Sequence, residues 1–307
     1  MLEALKSGGG PMPNLKSAGP RIPSWSPESS IDYMNGVGAR TAILSFPITF
    51  AFPREKSPAI CRQVNGYAAQ VRNNEPRKFG FLAAIPSLLD TEAALSEIRH
   101  AFDNLKADGV MLLTRYEDKY LGHPDFVPIW EELNKRSSVV LVHPGTTFAS
   151  AMINKYVDPS VAEFPHETTT TSLDMIMNNT VRASPNCKII LSHAGGTLPY
   201  LLRRATALIP IFAAHIDPPP KPIHEIIEDS KAFYFDLALS STSYTLDTLL
   251  RNFPRDHILY GSDYPFAPTP ATTALAKELD EYDMDDETRD MIYWKNAEAL
   301  FPRLKSC

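Results

Sequence analysis

Cysteine is scarce in this 307-residue sequence, and long runs of apolar residues are absent. The three cysteines, Cys61, Cys187 and Cys307, are widely spaced and odd in number, which disfavours a disulfide framework and is typical of proteins of the reducing cytoplasm. No apolar stretch approaches the roughly 20 residues that a membrane span requires, and the first residues lack the apolar core of a secretion signal. We therefore expect a cytoplasmic protein with no membrane partner.

Clusters of positive charge are lacking as well. The chain has 30 Lys and Arg residues against 36 Asp and Glu residues, so its formal net charge is −6 and its isoelectric point is near 5.8. This balance disfavours nucleic acid as a partner. A G-x-G-x-x-G segment after the first predicted strand is also missing, which counts against a dinucleotide-binding domain.

Composition divides the chain into two parts. Residues 1–25 are rich in glycine and proline and predict a loop. Residues 26–307 predict one α/β domain, because α/β barrels of about 250 residues or more commonly form a single unit. Its first helix is expected to begin after Ser26, where a hydroxyl cap precedes a proline, and to end at Gly36 or Gly38.

Short apolar runs alternate with stretches of helical periodicity along this domain. We predict seven strands, over residues 41–45, 79–85, 109–113, 139–143, 188–193 and 233–237 and from 258 onward, and helices over residues 57–74, 90–106, 125–136, 168–183, 198–214, 223–229, 245–253 and 286–301. Pro159 and Pro165 are expected in the loop before residue 168. Strands separated by helices imply a parallel sheet with right-handed crossovers. Seven strands are one short of a (β/α)8 TIM barrel, and an open doubly wound sheet is the alternative.

Three of these strands lead directly to an ionisable side chain. His143 ends one strand, His193 ends another, and Asp263 follows the run that begins at Ile258. In parallel barrels, the carboxyl ends of the strands carry the catalytic residues. We therefore predict that the three side chains meet in one site. Asp236 also ends a strand and is interpreted as structural.

Four segments carry a family resemblance. They are VHPG at 142–145, LSHAGG at 191–196, YGSDYPF at 260–266 and NAEALF at 296–301. In this order they resemble the amidohydrolase-related superfamily, and within it the branch of metal-dependent nonoxidative decarboxylases that includes aminocarboxymuconate semialdehyde decarboxylase. Residues 25–28 and 164–169 are most similar to the members that act on 6-methylsalicylate. The resemblance spans nearly the whole chain from Trp25 onward.

The resemblance implies roles for particular residues. His143 and Asp263 would ligate a divalent metal, zinc or manganese, and Asp263 would also deliver a proton to the substrate ring. His193 would lie beside the metal and position a water molecule or polarise the substrate. Arg204 would meet the substrate carboxylate, reaching into a neighbouring subunit, and a homodimer is therefore implied. A further group, Tyr264, Phe266 and Trp25, is expected to surround the aromatic ring.

The implied reaction is nonoxidative decarboxylation of a hydroxybenzoate-type aromatic acid, with 6-methylsalicylate as the expected substrate. A first alternative is hydrolysis of a C–N or lactone bond, in which Asp263 would act as the base. A second alternative is an inactive barrel. It arises because the family's first strand carries a His-x-His or Glu-x-His pair that binds metal, whereas the earliest histidine of this sequence is His100. We therefore expect an incomplete barrel of seven parallel strands without that first strand, in a chain that lacks a short amino-terminal segment.

Overall fold

The computed structural model describes residues 23–47, 53–145 and 154–306. The predicted loop over residues 1–25 therefore lies almost wholly outside the described residues. One seven-stranded parallel sheet forms the centre of the fold, and its strands lie side by side in the order in which they occur in the chain. Its strands are β1 (Ala42–Leu44), β2 (Phe79–Ala84), β3 (Gly109–Leu113), β6 (Val139–His143), β7 (Lys188–Leu191), β8 (Tyr234–Asp236) and β9 (Ile258–Leu259).

Helices alternate with these strands, as right-handed parallel connections require. In the described ranges they are α1 (Pro27–Val37), α2 (Ser57–Asn74), α3 (Thr91–Asp103), α4 (Val127–Lys135), α5 (Pro159–Met177), α6 (Thr180–Ala183), α7 (Leu198–Phe212), α8 (Ile223–Lys231), α9 (Ser243–Asn252), α10 (Thr269–Glu281), α11 (Asp286–Asp290) and α12 (Asn296–Leu300). A π-helical turn, Met291–Lys295, joins α11 to α12. A small antiparallel hairpin, β4 (Arg115–Tyr116) and β5 (Lys119–Tyr120), follows β3.

The predicted barrel-type architecture of seven parallel strands is confirmed, with differences at three elements. The interpretation of Pro159 and Pro165 as loop residues is wrong, because α5 begins at Pro159 and contains Pro165. Proline is tolerated at the first helical position, where no amide donor is needed. The side chain of Asp158 caps this end by accepting the N–H of Ser160 at 2.9 Å. Helix α10 and the β4–β5 hairpin were not predicted.

Helix α1 lies beside both edges of the sheet. In the described part of the chain, β1 and β9 are the edge strands. Met34 of α1 packs in a cluster that includes Leu44 of β1. On the other side, Tyr33 of α1 stacks on Tyr264, which follows β9, with ring centroids 4.2 Å apart. The helix thus contacts residues of β1 and of the segment that follows β9.

The carboxyl-terminal residues pack against the end of the sheet at which the strands begin. Phe301 and Leu304 are buried in the main core. Between them, Arg303 forms two hydrogen bonds with Asp108, from Nε to Oδ1 at 2.9 Å and from Nη2 to Oδ2 at 3.1 Å. Asp108 Oδ2 also accepts the backbone N–H of Phe81 at 2.9 Å. None of the helices in the described ranges has the length and apolar character needed to cross a bilayer.

Replacing Asp108 tests this closure. The Asp108 side chain is 7% exposed, and Asp108→Ala leaves the Phe81 N–H without its acceptor and removes two charge-assisted bonds to Arg303. We expect the free energy of unfolding to fall by about 2–4 kcal/mol in urea titrations. Asp103→Ala is the matched control, because Asp103 also pairs with an arginine through two bonds but is 59% exposed. Equal losses in both variants would contradict the proposed role of burial.

Candidate active site

His143 is the last residue of β6 and is held in one tautomer. Its Nδ1 lies 2.7 Å from the carbonyl oxygen of Pro144. Because a carbonyl oxygen only accepts, Nδ1 must carry the proton, and Nε2 presents its lone pair. Nε2 is buried without a hydrogen-bond partner among the described residues, and it lies 3.8 Å from Oδ1 of Asp263. With Nδ1 bonded to Pro144, Nε2 is the ring nitrogen available to bind a cation.

His193 lies two residues beyond β7 and is oriented by the neighbouring strand. Its Nδ1 lies 3.1 Å from the carbonyl oxygen of Ala238, which follows β8. The same argument assigns the proton to Nδ1 and the lone pair to Nε2. The two imidazole rings have centroids 5.2 Å apart and planes inclined by 68°. The structure therefore brings the two histidines and Asp263 into one cluster, in which His143 contacts both of the others.

Curvature of the sheet makes this cluster possible. In a flat sheet, β6 and β9 would lie three strand spacings apart, or about 14 Å. The 3.8 Å separation between His143 Nε2 and Asp263 Oδ1 fits strands that curl around a common axis, extended at β9 by the short segment 260–263. The carboxyl ends of β6, β7 and β9 consequently face one concave region, as in a barrel.

A left-handed turn carries His193. Four successive residues have positive φ angles, namely His193 at 54°, Ala194 at 57°, Gly195 at 74° and Gly196 at 63°. Left-handed φ angles cost residues with a Cβ roughly 1–2 kcal/mol each. At Gly196 a Cβ would lie 1.9 Å from the carbonyl oxygen of Pro165 in α5, and at Gly195 a Cβ would lie 2.8 Å from the ring of Phe235. The close approach of α5 and β8 therefore requires both glycines.

Asp236, interpreted from the sequence as structural, contacts this turn directly. Its Oδ1 accepts the backbone N–H of His193 at 3.1 Å and that of Ala238 at 2.9 Å. Burial raises the pKa of the Asp236 carboxyl, and the neighbouring His193 opposes that rise. The sequence signal for Asp236 was its position at a strand end, the same signal that identified His143.

The donor atoms of His143 and Asp263 fit a divalent cation. Two ligand atoms, each about 2.1 Å from a metal, lie roughly 3–3.5 Å from one another, close to the 3.8 Å between His143 Nε2 and Asp263 Oδ1. An unpartnered buried imidazole nitrogen facing a carboxylate is the observation that supports a cation here. No group of three His, Cys, Asp or Glu side chains suited to a metal occurs in the described residues. The pair therefore offers two protein ligands.

Each of the four predicted substrate-binding residues lies in a different part of the fold. Tyr264 stacks on Tyr33, and its hydroxyl donates to the carbonyl oxygen of Ser29 at 3.3 Å. Phe266 packs against a small cluster that includes Ala84 at the carboxyl end of β2. Trp25 makes an edge contact with Tyr67 of α2, with ring centroids 6.4 Å apart. Arg204 is exposed on α7. Their roles toward a substrate stay predictions.

A buried ion pair near the ends of β3 and β6 was not predicted from the sequence. Arg115 follows β3 and lies 3.1 Å from Glu167 of α5, with both side chains less than 10% exposed. Burial raises the pKa of Glu167, and Arg115 and Tyr120 oppose that rise. The backbone N–H of the preceding Thr114 donates to the carbonyl oxygen of His143 at 3.1 Å. The pair therefore anchors α5 beside the strand that ends in His143.

The cysteines in the described ranges are poorly suited to catalysis. Cys61 and Cys187 are free and buried. Burial raises the pKa of Cys61 to about 12 and that of Cys187 to about 12, so that both thiols remain protonated near neutral pH. Cys307 lies outside the described residues.

Comparisons with known proteins cover nearly the whole chain. A family model described as Amidohydrolase matches residues 21–303. The chain is 38% identical to the 6-methylsalicylic acid decarboxylase of Penicillium expansum, over 99% of this chain and 93% of that protein. The 2,6-dihydroxybenzoate decarboxylase from Rhizobium superposes with a TM-score of 0.79 at 23% identity, over 92% of this chain and 90% of its own. A dihydroxybenzoic acid decarboxylase from Polaromonas sp. JS666, solved with manganese and 2-nitroresorcinol, has a TM-score of 0.75 at 22% identity, over 90% and 85% of the two chains.

Substituting Gly196 tests the left-handed turn. Gly196→Ala should lower the free energy of unfolding by more than about 2 kcal/mol, because the new Cβ meets backbone of α5 at a positive φ. Gly66→Ala is the control, since Gly66 is an exposed glycine inside α2 with open space around its Cα. It should stabilise the protein by roughly 0.5–1 kcal/mol. Similar unfolding midpoints for Gly196→Ala and the parent protein would disprove this account of the turn.

Proposed function

The chain belongs to the amidohydrolase family, and we propose that it is a metal-dependent nonoxidative decarboxylase, a carboxy-lyase, acting on 6-methylsalicylate. The observation that carries the proposal is the cluster of His143, His193 and Asp263 at the carboxyl end of the sheet, in a chain that aligns with 93% of a 6-methylsalicylic acid decarboxylase. Three of the residues that the sequence motifs singled out therefore lie together, which supports the proposal.

His143 Nε2 and Asp263 are proposed as the metal ligands, and the ion would be manganese or zinc. Both ions accept mixed imidazole and carboxylate ligands, and the solved relative from Polaromonas contains manganese. When bound, such a cation supplies positive charge that orients the substrate carboxylate and the adjacent phenol oxygen. The Nδ1–H bond to Pro144 keeps the His143 imidazole in the form that donates a lone pair.

The chain's own residues then transfer one proton. Asp263 takes up a proton from water and delivers it to the ring carbon that bears the carboxylate, which forms a C–H bond and interrupts aromaticity. The bond from this carbon to the carboxylate breaks, CO2 leaves, and the electron pair of that bond restores the aromatic ring. His193, whose Nε2 carries a lone pair, holds the phenol hydroxyl or a water molecule beside the ring. The product of 6-methylsalicylate is 3-methylphenol.

A homodimer is proposed on the exposed face of α7. Tyr200, Arg204 and Ile211 are separated by four and seven residues and therefore lie on one side of this helix. Tyr200 and Ile211 are 81% and 68% exposed, and Phe212 is 67% exposed. Exposed apolar side chains of this size mark protein interfaces. Arg204, on the same face, would then reach the substrate carboxylate of the partner's site, which suits the forked geometry of a guanidinium.

The proposed compartment is the cytoplasm. Cys61 and Cys187 are both unpaired and buried, and reduced thiols are typical of proteins of a reducing environment. The proposed ligand is a small aromatic acid, with no role for nucleic acid or membrane surfaces.

Release of CO2 from 6-methylsalicylate tests the reaction. The purified protein should form CO2 and 3-methylphenol after incubation with Mn2+ or Zn2+, and chelation should abolish the activity. His143→Ala and Asp263→Ala should each lower kcat by on the order of 10³-fold, because they remove a ligand or the proton donor. His224→Ala, at an exposed histidine of α8, should leave kcat unchanged. Turnover that survives in both active-site variants would refute the assigned roles, and hydrolysis without CO2 release would favour the C–N or lactone alternative.

The mass of the protein in solution tests the dimer. Analytical ultracentrifugation should give twice the 34.1 kDa chain mass. Ile211→Asp should yield a monomer, because a charge at the centre of an apolar interface is costly to bury. Val127→Asp is the control, since Val127 is half-exposed on α4 rather than on the α7 face. A monomeric parent protein, or an unaltered dimer in Ile211→Asp, would exclude this interface.

A further inference from the structure

The left-handed turn at His193 needs partners that hold it in place. His193 and Ala194 both have a Cβ and yet adopt φ angles of 54° and 57°. Residues with a Cβ persist in such conformations only where the surroundings determine them, and they concentrate at functional sites. The glycines that follow explain why α5 and β8 can approach the turn, but they do not explain what fixes the peptide group of His193 itself.

Asp236 contacts that peptide group. The strand pairings align Ile190 with Tyr234 and Leu191 with Phe235, so the next position places Asp236 beside Ser192, one residue before His193. The pairing of Val142 with Leu191 likewise places His143 beside Ser192. Because residues aligned in parallel strands point to the same side of a sheet, Asp236 and His143 lie on the same, concave side. From there Oδ1 accepts the N–H of His193, 43 positions earlier in the chain, at 3.1 Å.

The same oxygen also fixes the acceptor for the His193 ring. Asp236 Oδ1 accepts the N–H of Ala238 at 2.9 Å, and the carbonyl oxygen of Ala238 faces His193 Nδ1 at 3.1 Å. A single carboxylate oxygen therefore orders both ends of His193, its backbone directly and its imidazole through Ala238. A bond from an Asp side chain to the N–H two residues on is a common turn. The bond to the N–H of His193, which follows β7, is not part of that turn.

We propose that Asp236 is a positioning residue that holds His193 in the Nδ1–H tautomer and directs its Nε2 toward the region beside His143. This inference rests on the proposed decarboxylase function for its consequence in catalysis. Asp236 itself does not touch the substrate. Loss of its two hydrogen bonds should release the turn, let the imidazole rotate away from Ala238 and let the proton occupy either ring nitrogen. Displacement of a catalytic group by about 1 Å can reduce a rate by about 10²-fold.

Three variants distinguish positioning from a general structural role. Asp236→Asn keeps an acceptor oxygen of the same geometry, whereas Asp236→Ala removes it. Asp174→Ala is the matched control, because Asp174 Oδ2 likewise accepts a distant backbone N–H, that of Gly122 at 2.7 Å, but lies in α5 and contacts none of the three clustered residues. The readouts are kcat and KM for CO2 release and the imidazole nitrogen resonances of protein labelled with ¹⁵N-histidine. The resonances that are missing from the spectrum of His193→Gln are those of His193.

Asp236→Ala should lower kcat by about 10²-fold with KM within about threefold of the parent, and its His193 resonances should show a mixture of tautomers. Asp236→Asn should restore most of kcat and the Nδ1–H signals. Asp174→Ala should melt at a lower temperature yet keep the parent kcat and spectrum. A parent-like spectrum and kcat in Asp236→Ala would overturn the proposal, as would failure of Asp236→Asn to restore the Nδ1–H signals.

The nitrogen spectra also separate this proposal from the proposed function. If the parent protein releases no CO2 from 6-methylsalicylate with any metal, the function is wrong. The tautomer of His193 in the parent, Asp236→Asn and Asp236→Ala would still support or refute the positioning role, because that measurement needs no substrate.

Discussion

The site depends on the curvature of one parallel sheet. Strands β6 and β9 are separated by two others, and the curl of the sheet together with the segment after β9 brings His143 Nε2 within 3.8 Å of Asp263 Oδ1. Curvature of this kind follows from the inherent twist of parallel strands and from the helices packed on their outer side. Phe301 and Leu304 fill the end where the strands begin, while the end where the strands stop carries the polar residues. The division of the sheet into a packed end and a polar end is what makes a reactive site compatible with a stable core.

Polar backbone contacts then set the chemistry of each histidine. Pro144 and Ala238 each present a carbonyl oxygen to an Nδ1 atom, so both imidazoles expose Nε2 as the basic nitrogen. These partners act through the backbone, and substitution of the side chains at those two positions would not remove them. Asp236 is the exception, because its side chain joins β8 to the turn after β7. The left-handed turn at His193 and the Asp236 carboxylate that accepts its N–H are understood as one unit, because packing alone explains neither of them.

Helix α1 connects the two edges of the sheet to the site. Met34 packs with β1, and Tyr33 stacks on Tyr264, the neighbour of Asp263. The hydroxyl of Tyr264 also donates to the backbone of Ser29 in α1. One helix therefore contacts β1 and also packs against the segment that carries Asp263.

Much of the fold was predictable, because apolar periodicity and helix caps are properties of neighbouring residues. The predicted bounds of α2, β3 and β6 agree with the structure. Of the two predicted ends of α1, Gly36 and Gly38, the second coincides with a left-handed cap. The start of α5 was mispredicted, since two prolines outweighed its weak periodicity, and the β4–β5 hairpin is too short for any periodic signal. Three of the four motifs behind the family resemblance follow strands, and their polar residues His143, His193 and Asp263 are the ones that cluster.

By itself, the sequence determined the alternation of strands and helices and the identity of the polar residues at the strand ends. Only the tertiary structure decided the tautomers of His143 and His193, the two backbone partners of Asp236, the pairing of Arg115 with Glu167 and the stacking of Tyr264 on α1. The physical reason is that most of these features depend on atoms supplied by segments tens to hundreds of residues apart, whose approach is set by the curl of the sheet and by the packing of helices around it.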